Sequence, residues 1–125
     1  MADTATARFA DRRSARSRSA REAETAEVER TAALLRLLSD PTRLKILHAL
    51  RQGESFVSCL VEMSGANQPT VSQHLTKLRL AGVIRARREG THTFYTLEDP
   101  RAAAVLDLLL DTDQRARGRR LPSRR

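Results

Sequence analysis

Apolar residues along this chain recur at helical spacing in five places and alternate in one, with polar or glycine residues between. From about Glu22 to Leu38, Val28, Ala32 and Leu35 share a face, and Glu22, Glu24 and Glu27 suit the first turns of a helix. Asp40-Pro41 opens a second helix with an N-cap carboxylate and a proline at the first helical position; Leu44, Leu47 and Leu50 form its apolar side and Gly53 ends it. Ser55 is expected to cap a short third helix through Ser64, with Val57, Leu60 and Val61 inward and Gly65 as the stop. Asn67 caps a fourth, which runs to about Ala81 before Gly82. Val83–Arg88 and His92–Leu97 read as two strands around Glu89-Gly90-Thr91. A fifth helix starts near Pro100, with Ala102, Val105, Leu106, Leu109 and Leu110 as its stripe.

The fourth helix is the most informative element. Val71, Leu75 and Leu78 must be buried, which leaves Pro69, Thr70, Gln73, Thr76 and Lys77 outward, Gln68 at the tip and Ser72 on the flank. This face is rich in amides and hydroxyls and holds one cation but no acid. Such groups both donate and accept, as contact with phosphates and base edges in a major groove requires.

Charge sharpens this picture once it is divided along the chain. Residues 1–21 carry net +4 and residues 114–125 net +6, whereas residues 22–113 carry net −2. Within that acidic body, residues 68–95 hold Lys77, Arg79, Arg85, Arg87 and Arg88 against Glu89 alone. A basic stripe on the segment that bears the polar helix is an electrostatic footprint for nucleic acid. Residues 1–21 and 114–125 are poor in large apolar groups and are expected to form disordered basic arms around a folded body of residues 22–113. No apolar run reaches the length of a membrane span and no apolar leader opens the chain, so a cytoplasmic location is expected, with no membrane partner. The lone cysteine excludes an internal disulfide.

The order ααααββα, with two helices around a glycine turn and then a basic hairpin, predicts a mainly α fold with a small β-hairpin wing: a winged helix-turn-helix. Leu38-Ser39-Asp40-Pro41-Thr42-Arg43-Leu44-Lys45-Ile46-Leu47 resembles the second-helix signature of the ArsR/SmtB family of bacterial repressors. Gln68 through Leu78 resembles that family's recognition helix, and Arg88 through Leu97 its wing. The resemblance covers roughly residues 30–113. It implies a homodimer joined through the first and last helices, binding an imperfect inverted repeat of double-stranded DNA and released by a metal ion or thiol-reactive signal.

The family's sensor sites are missing. Its dithiol site would place thiolates at Phe56 and Ser58, with Cys59 at the neighbouring acidic position. Its last-helix site would begin at Asp99, but Arg101, Thr112 and Arg115 stand where the other ligands belong, and a guanidinium cannot ligate a metal. Lys77, Ala81 and Ala116 occupy the positions of a third variant. Phe56, Cys59 and Met63 share a second face of the third helix, and Cys59 with Met63 forms a soft sulfur pair suited to Cu(I) or a thiol-reactive signal. The alternative is that all three pack against the first helix or a partner protomer. His48 reads as a satisfied structural histidine; His74 either touches phosphate or packs under its helix; His92 lies on the wing facing solvent or DNA.

The expected DNA contacts are Gln68, Thr70, Ser72, Gln73, His74, Lys77, Arg85, Arg87 and Arg88, and the expected dimer contacts are Val28, Leu35, Val105, Leu106, Leu109 and Leu110. No cofactor is required by any motif. Two other routes for the signal stay open: a transition metal held by carboxylates and histidines in another pattern, and a partner protein that carries the signal. No phosphate loop, zinc-binding histidine pair or nucleophile–base motif is present, so no enzyme is expected.

Overall fold

The computed structural model describes residues 3–110, with side chains from residue 12 onward. The chain divides into two units, residues 1–36 and 37–125, rather than into a 22–113 body with two arms.

The first unit is helical. Helix α1 spans Asp3–Leu38, so it begins well before Glu22 and takes in most of the segment expected to be a disordered arm. Alanine and arginine, both strong helix formers, dominate that segment, and propensity carries the helix where apolar content does not. Arg21 Nη1 donates to Ser17 Oγ at 2.8 Å one turn away. Further along, Glu24, Glu27, Val28, Thr31, Ala32 and Leu35 line a shallow groove, with Val28 and Leu35 exposed.

The second unit holds α2 (Pro41–Gln52), β1 (Ser55–Phe56), α3 (Val57–Ser64), α4 (Gln68–Leu80), β2 (Ile84–Glu89), β3 (His92–Leu97) and α5 (Pro100–Leu109). Helix α2 is the hub and touches α3, α4, β3 and α5. Its Ile46, Leu47, Ala49 and Leu50 join Leu60, Val71, Leu75, Leu78, Val83, Ile84, Ala102 and Leu106 in the core. Leu44, expected on the same side, is only half-buried.

Local chemistry sets most element ends. Asp40 Oδ2 accepts from Arg43 N at 2.9 Å, Asn67 Oδ1 from Thr70 N at 2.9 Å and Asp99 Oδ1 from Arg101 N at 2.8 Å, each cap followed by proline at the first or second helical position. Gly82, at φ 77°, closes α4: its N–H bonds Arg79 O, and Val83 N–H bonds Leu78 O, the paired bonds of a Schellman end.

Two sequence expectations need correction here. Ser55 does not cap α3; Ser55 and Phe56 form a short strand that pairs antiparallel with Tyr95 and Phe94, giving a three-stranded sheet in the order β1-β3-β2. The partner strand lies about forty positions away, so no local pattern signals it. The second correction concerns α5, whose stripe divides. Ala102 and Leu106 are buried in the protomer, whereas Leu108 and Leu109 are 74% and 69% exposed and Val105 and Leu110 lie between. Leu106 is therefore a core residue and not a dimer contact. Arg51 and Asp107, bonded through two contacts of 2.7 and 2.6 Å, tie α5 to α2.

Leu106→Ala should lower the free energy of unfolding by about 2–5 kcal/mol, the cost of an interior cavity, at any protein concentration. Urea titrations at two concentrations test this; a loss that fades as concentration rises would return Leu106 to an interface.

Candidate nucleic-acid interface

Helices α3 and α4 meet around Gly65-Ala66-Asn67. Gly65 takes a left-handed φ of 74°, open to glycine without strain, and its N–H bonds Val61 O. The buried Ser64 hydroxyl bridges the corner, donating to Val61 O at 3.4 Å and accepting from Ala66 N at 3.2 Å.

With Val71, Leu75 and Leu78 buried, α4 turns Gln68, Gln73, Thr76 and Lys77 into solvent, with Thr70 and Ser72 half-buried beside them. Thr76 Oγ1 donates back to Ser72 O at 3.0 Å, which settles its hydroxyl proton. No acid stands on the helix.

His74 is placed differently from its neighbours. It is turned toward α2, with Nδ1 3.4 Å from Arg43 Nη1 and Nε2 3.7 Å from Asp40 Oδ2. A guanidinium only donates, so Nδ1 accepts here and Nε2–H faces the carboxylate. His74 thus packs under the helix, against its place among the expected DNA contacts. Arg43 also donates through Nε to Leu37 O at 2.7 Å. The bond from Arg43 N–H holds the Asp40 carboxyl below the usual carboxylate range, with the nearby Arg43 charge adding to it and partial desolvation opposing.

The wing is β2 and β3, paired from Ile84↔Leu97 to Glu89↔His92. Gly90, at φ 62°, begins its two-residue turn, as a type II′ hairpin demands. Alternation places Arg85, Arg87 and Glu89 on one face of β2 and Arg88 on the other. Arg85 Nε lies 3.6 Å from Glu98 Oε2 yet stays 66% exposed, and Arg88 is exposed near the tip. Arg87 is engaged: it bonds both oxygens of Glu54 at 3.1 and 2.8 Å, bonds Glu89, and lies over the Phe94 ring at 4.9 Å. The Arg87 hydrogen bond pulls the Glu54 carboxyl below its usual range, and the two carboxylates make Arg87 harder still to deprotonate. Sequence reading passed over Glu54, because only the fold brings it to the wing.

The sulfur pair does not share its expected aromatic neighbour. Phe56 lies in β1, with its ring 5.2 Å from His92 and 5.6 Å from Phe94 in edge-on packing. Cys59 is half-buried and Met63 exposed on α3. Among the described residues no group of three or more histidine, cysteine or acidic side chains is placed to hold a metal ion. Asp99 is occupied as a helix cap and Asp107 by Arg51, while Asp111 and Asp113 lie outside the described residues. His48 is not satisfied as expected: its buried Nδ1 has no hydrogen-bond partner among the described residues.

Comparison with known proteins now defines the class. A family profile described as "Bacterial regulatory protein, arsR family" matches residues 40–86, which run from the Asp40 cap into β2. The chain is 40% identical over 86 residues to the HTH-type transcriptional regulator KmtR of Mycobacterium tuberculosis, covering 68% of this chain and 66% of that protein. The crystal structure of the transcriptional repressor BigR from Xylella fastidiosa superposes with a TM-score of 0.67 at 36% identity, over 74% of this chain and 94% of that one. The homodimeric winged helix-turn-helix DNA-binding domain of a possible ArsR-family regulator from Mycobacterium bovis gives a TM-score of 0.63 at 31% identity, over 73% and 84%. The chain belongs to the arsR family of bacterial regulatory proteins and is a DNA-binding transcriptional repressor of the winged helix-turn-helix class. No helix among its described residues is long and apolar enough to cross a membrane.

Asp40 is more acidic folded than unfolded. Its contribution to stability is therefore complete above the ordinary aspartate range and is lost as pH falls through and below it. Asp40→Asn keeps a good N-cap but removes the charge, so its unfolding free energy should fall less than wild type's between pH 7 and about pH 3. Equal losses in the two proteins would remove Asp40 from the acid response.

Proposed function

We propose that two copies of this chain bind an inverted-repeat operator, each laying α4 into a major groove and its wing along the adjacent backbone. The observation that carries this reading is the outward face of α4: amides, hydroxyls and Lys77 without an acid, next to a wing with exposed Arg85 and Arg88. Gln73, exposed at mid-helix, is the base reader, able to form a bidentate pair with adenine. Gln68, Thr70, Ser72 and Lys77 contact flanking bases and phosphates, and Arg85 and Arg88 follow phosphates from the wing. His74 supports the helix from beneath.

The homodimeric state of the Mycobacterium bovis relative supports the assembly, and so do the exposed apolar side chains Val28, Leu35 and Leu109. Val105 and Leu110, half-buried in the protomer, extend the same interface. The arginines of residues 1–21 and 114–125 add sequence-independent attraction to phosphate. The signal that ends repression enters by a route other than the metal sites the family commonly uses, since Phe56, Ser58 and Arg101 replace their ligands.

Burying a leucine or valine contributes roughly 2 kcal/mol, so Val28→Asp with Leu109→Asp should turn a dimer into monomers at micromolar concentration. Sedimentation of the wild type as a monomer would end the dimer reading. Base reading and charge separate on operator and scrambled duplexes across a salt series. Gln73→Ala should lower the operator-to-scrambled ratio by about 1–3 kcal/mol with little change in salt slope. Deleting residues 1–21 and 114–125 should weaken both duplexes alike and flatten the slope. A ratio untouched by Gln73→Ala would move base reading to another residue.

A further inference from the structure

Three arginines stand on the wing, and one is already taken. Arg87 meets Glu54 edge to edge, Nε to Oε2 at 3.1 Å and Nη2 to Oε1 at 2.8 Å, and bonds Glu89 through Nη1. Three of its five N–H donors are thereby used, and its flat face covers Phe94 at 4.9 Å. Thr96 Oγ1 adds a contact of 3.4 Å to Glu54 Oε2. One cation between two carboxylates leaves the trio with a net charge of −1, which repels a phosphate rather than attracting it. Glu54 also immediately precedes β1, which leads directly into α3, so the bond joins the wing to the entry of the helix-turn-helix. Phe56, two positions on, packs against Phe94 and His92 of the wing on the same side.

We propose that Arg87 is a positioning residue, clamped to Glu54 so that the wing holds Arg85 and Arg88 against DNA, and is not itself a phosphate ligand. The proposal rests on the reading that the wing reaches the backbone. It makes Glu54, an acid far from any DNA-facing motif in the sequence, a determinant of DNA affinity.

Glu54→Gln separates the two roles by sign. A phosphate ligand freed from a competing carboxylate binds DNA more tightly, whereas a positioning residue freed from its anchor loosens the wing. In full-length protein on operator DNA, Glu54→Gln and Arg87→Ala should each weaken binding by on the order of tenfold, and the double variant should be no worse than either single one. The salt slope should keep its wild-type value in all three. Tighter binding by Glu54→Gln overturns the proposal, as does a slope reduced by about 0.9 in Arg87→Ala, the signature of one lost phosphate contact. Arg88→Ala identifies which premise fails. A slope unchanged there takes the wing off the DNA and the proposal with it. A slope lowered there, with wild-type affinity in Glu54→Gln and Arg87→Ala, overturns the clamp alone.

Discussion

Burial of Val71, Leu75 and Leu78 decides what this protein can present to DNA. The three side chains lie in the core of the second unit, where α4 packs against α2 and α3. Each buried apolar side chain contributes roughly 1.5–3 kcal/mol, far more than any single polar contact on the outer face. Rotation of α4 about its axis would expose that stripe, so the register of the outward residues is a consequence of the core. The Asn67 cap and the Schellman end at Gly82 then determine where the helix begins and stops.

The same core divides polar residues into working and supporting groups. His74 and Gln73 are neighbours in sequence, yet one faces the Asp40–Arg43 pair on α2 and the other faces solvent. On the wing, strand alternation and the position of Glu54 separate Arg87 from Arg88. Positive charge alone is therefore a poor guide to DNA contact: a guanidinium flanked by carboxylates has little left to offer a phosphate.

Helical periodicity, the three proline-assisted caps and Gly82 revealed most of the fold before any coordinates, because these signals act within one or two turns of chain. The polar face of α4 was legible for the same reason, and so was the replacement of the family's usual metal ligands by Phe56, Ser58 and Arg101. The start of α1 was misread because low apolar content was weighed above the helix propensity of alanine and arginine. The division of the α5 stripe was hidden too: spacing marks apolar positions but does not say which of them meet the protomer's own core.

What the sequence determined by itself is what adjacent residues dictate: the helices from Pro41 onward, the hairpin, the acid-free face of α4 and the membership of a DNA-binding family. Only the tertiary structure made Ser55 and Phe56 a strand, since their partners Tyr95 and Phe94 come from the far side of two helices and the wing. It alone set Leu106 inside and Leu109 outside, turned His74 inward, and brought Glu54 across thirty-three positions to Arg87. Each of these depends on contacts between residues distant in the chain, and such contacts leave no period, cap or turn signal for a linear reading to find.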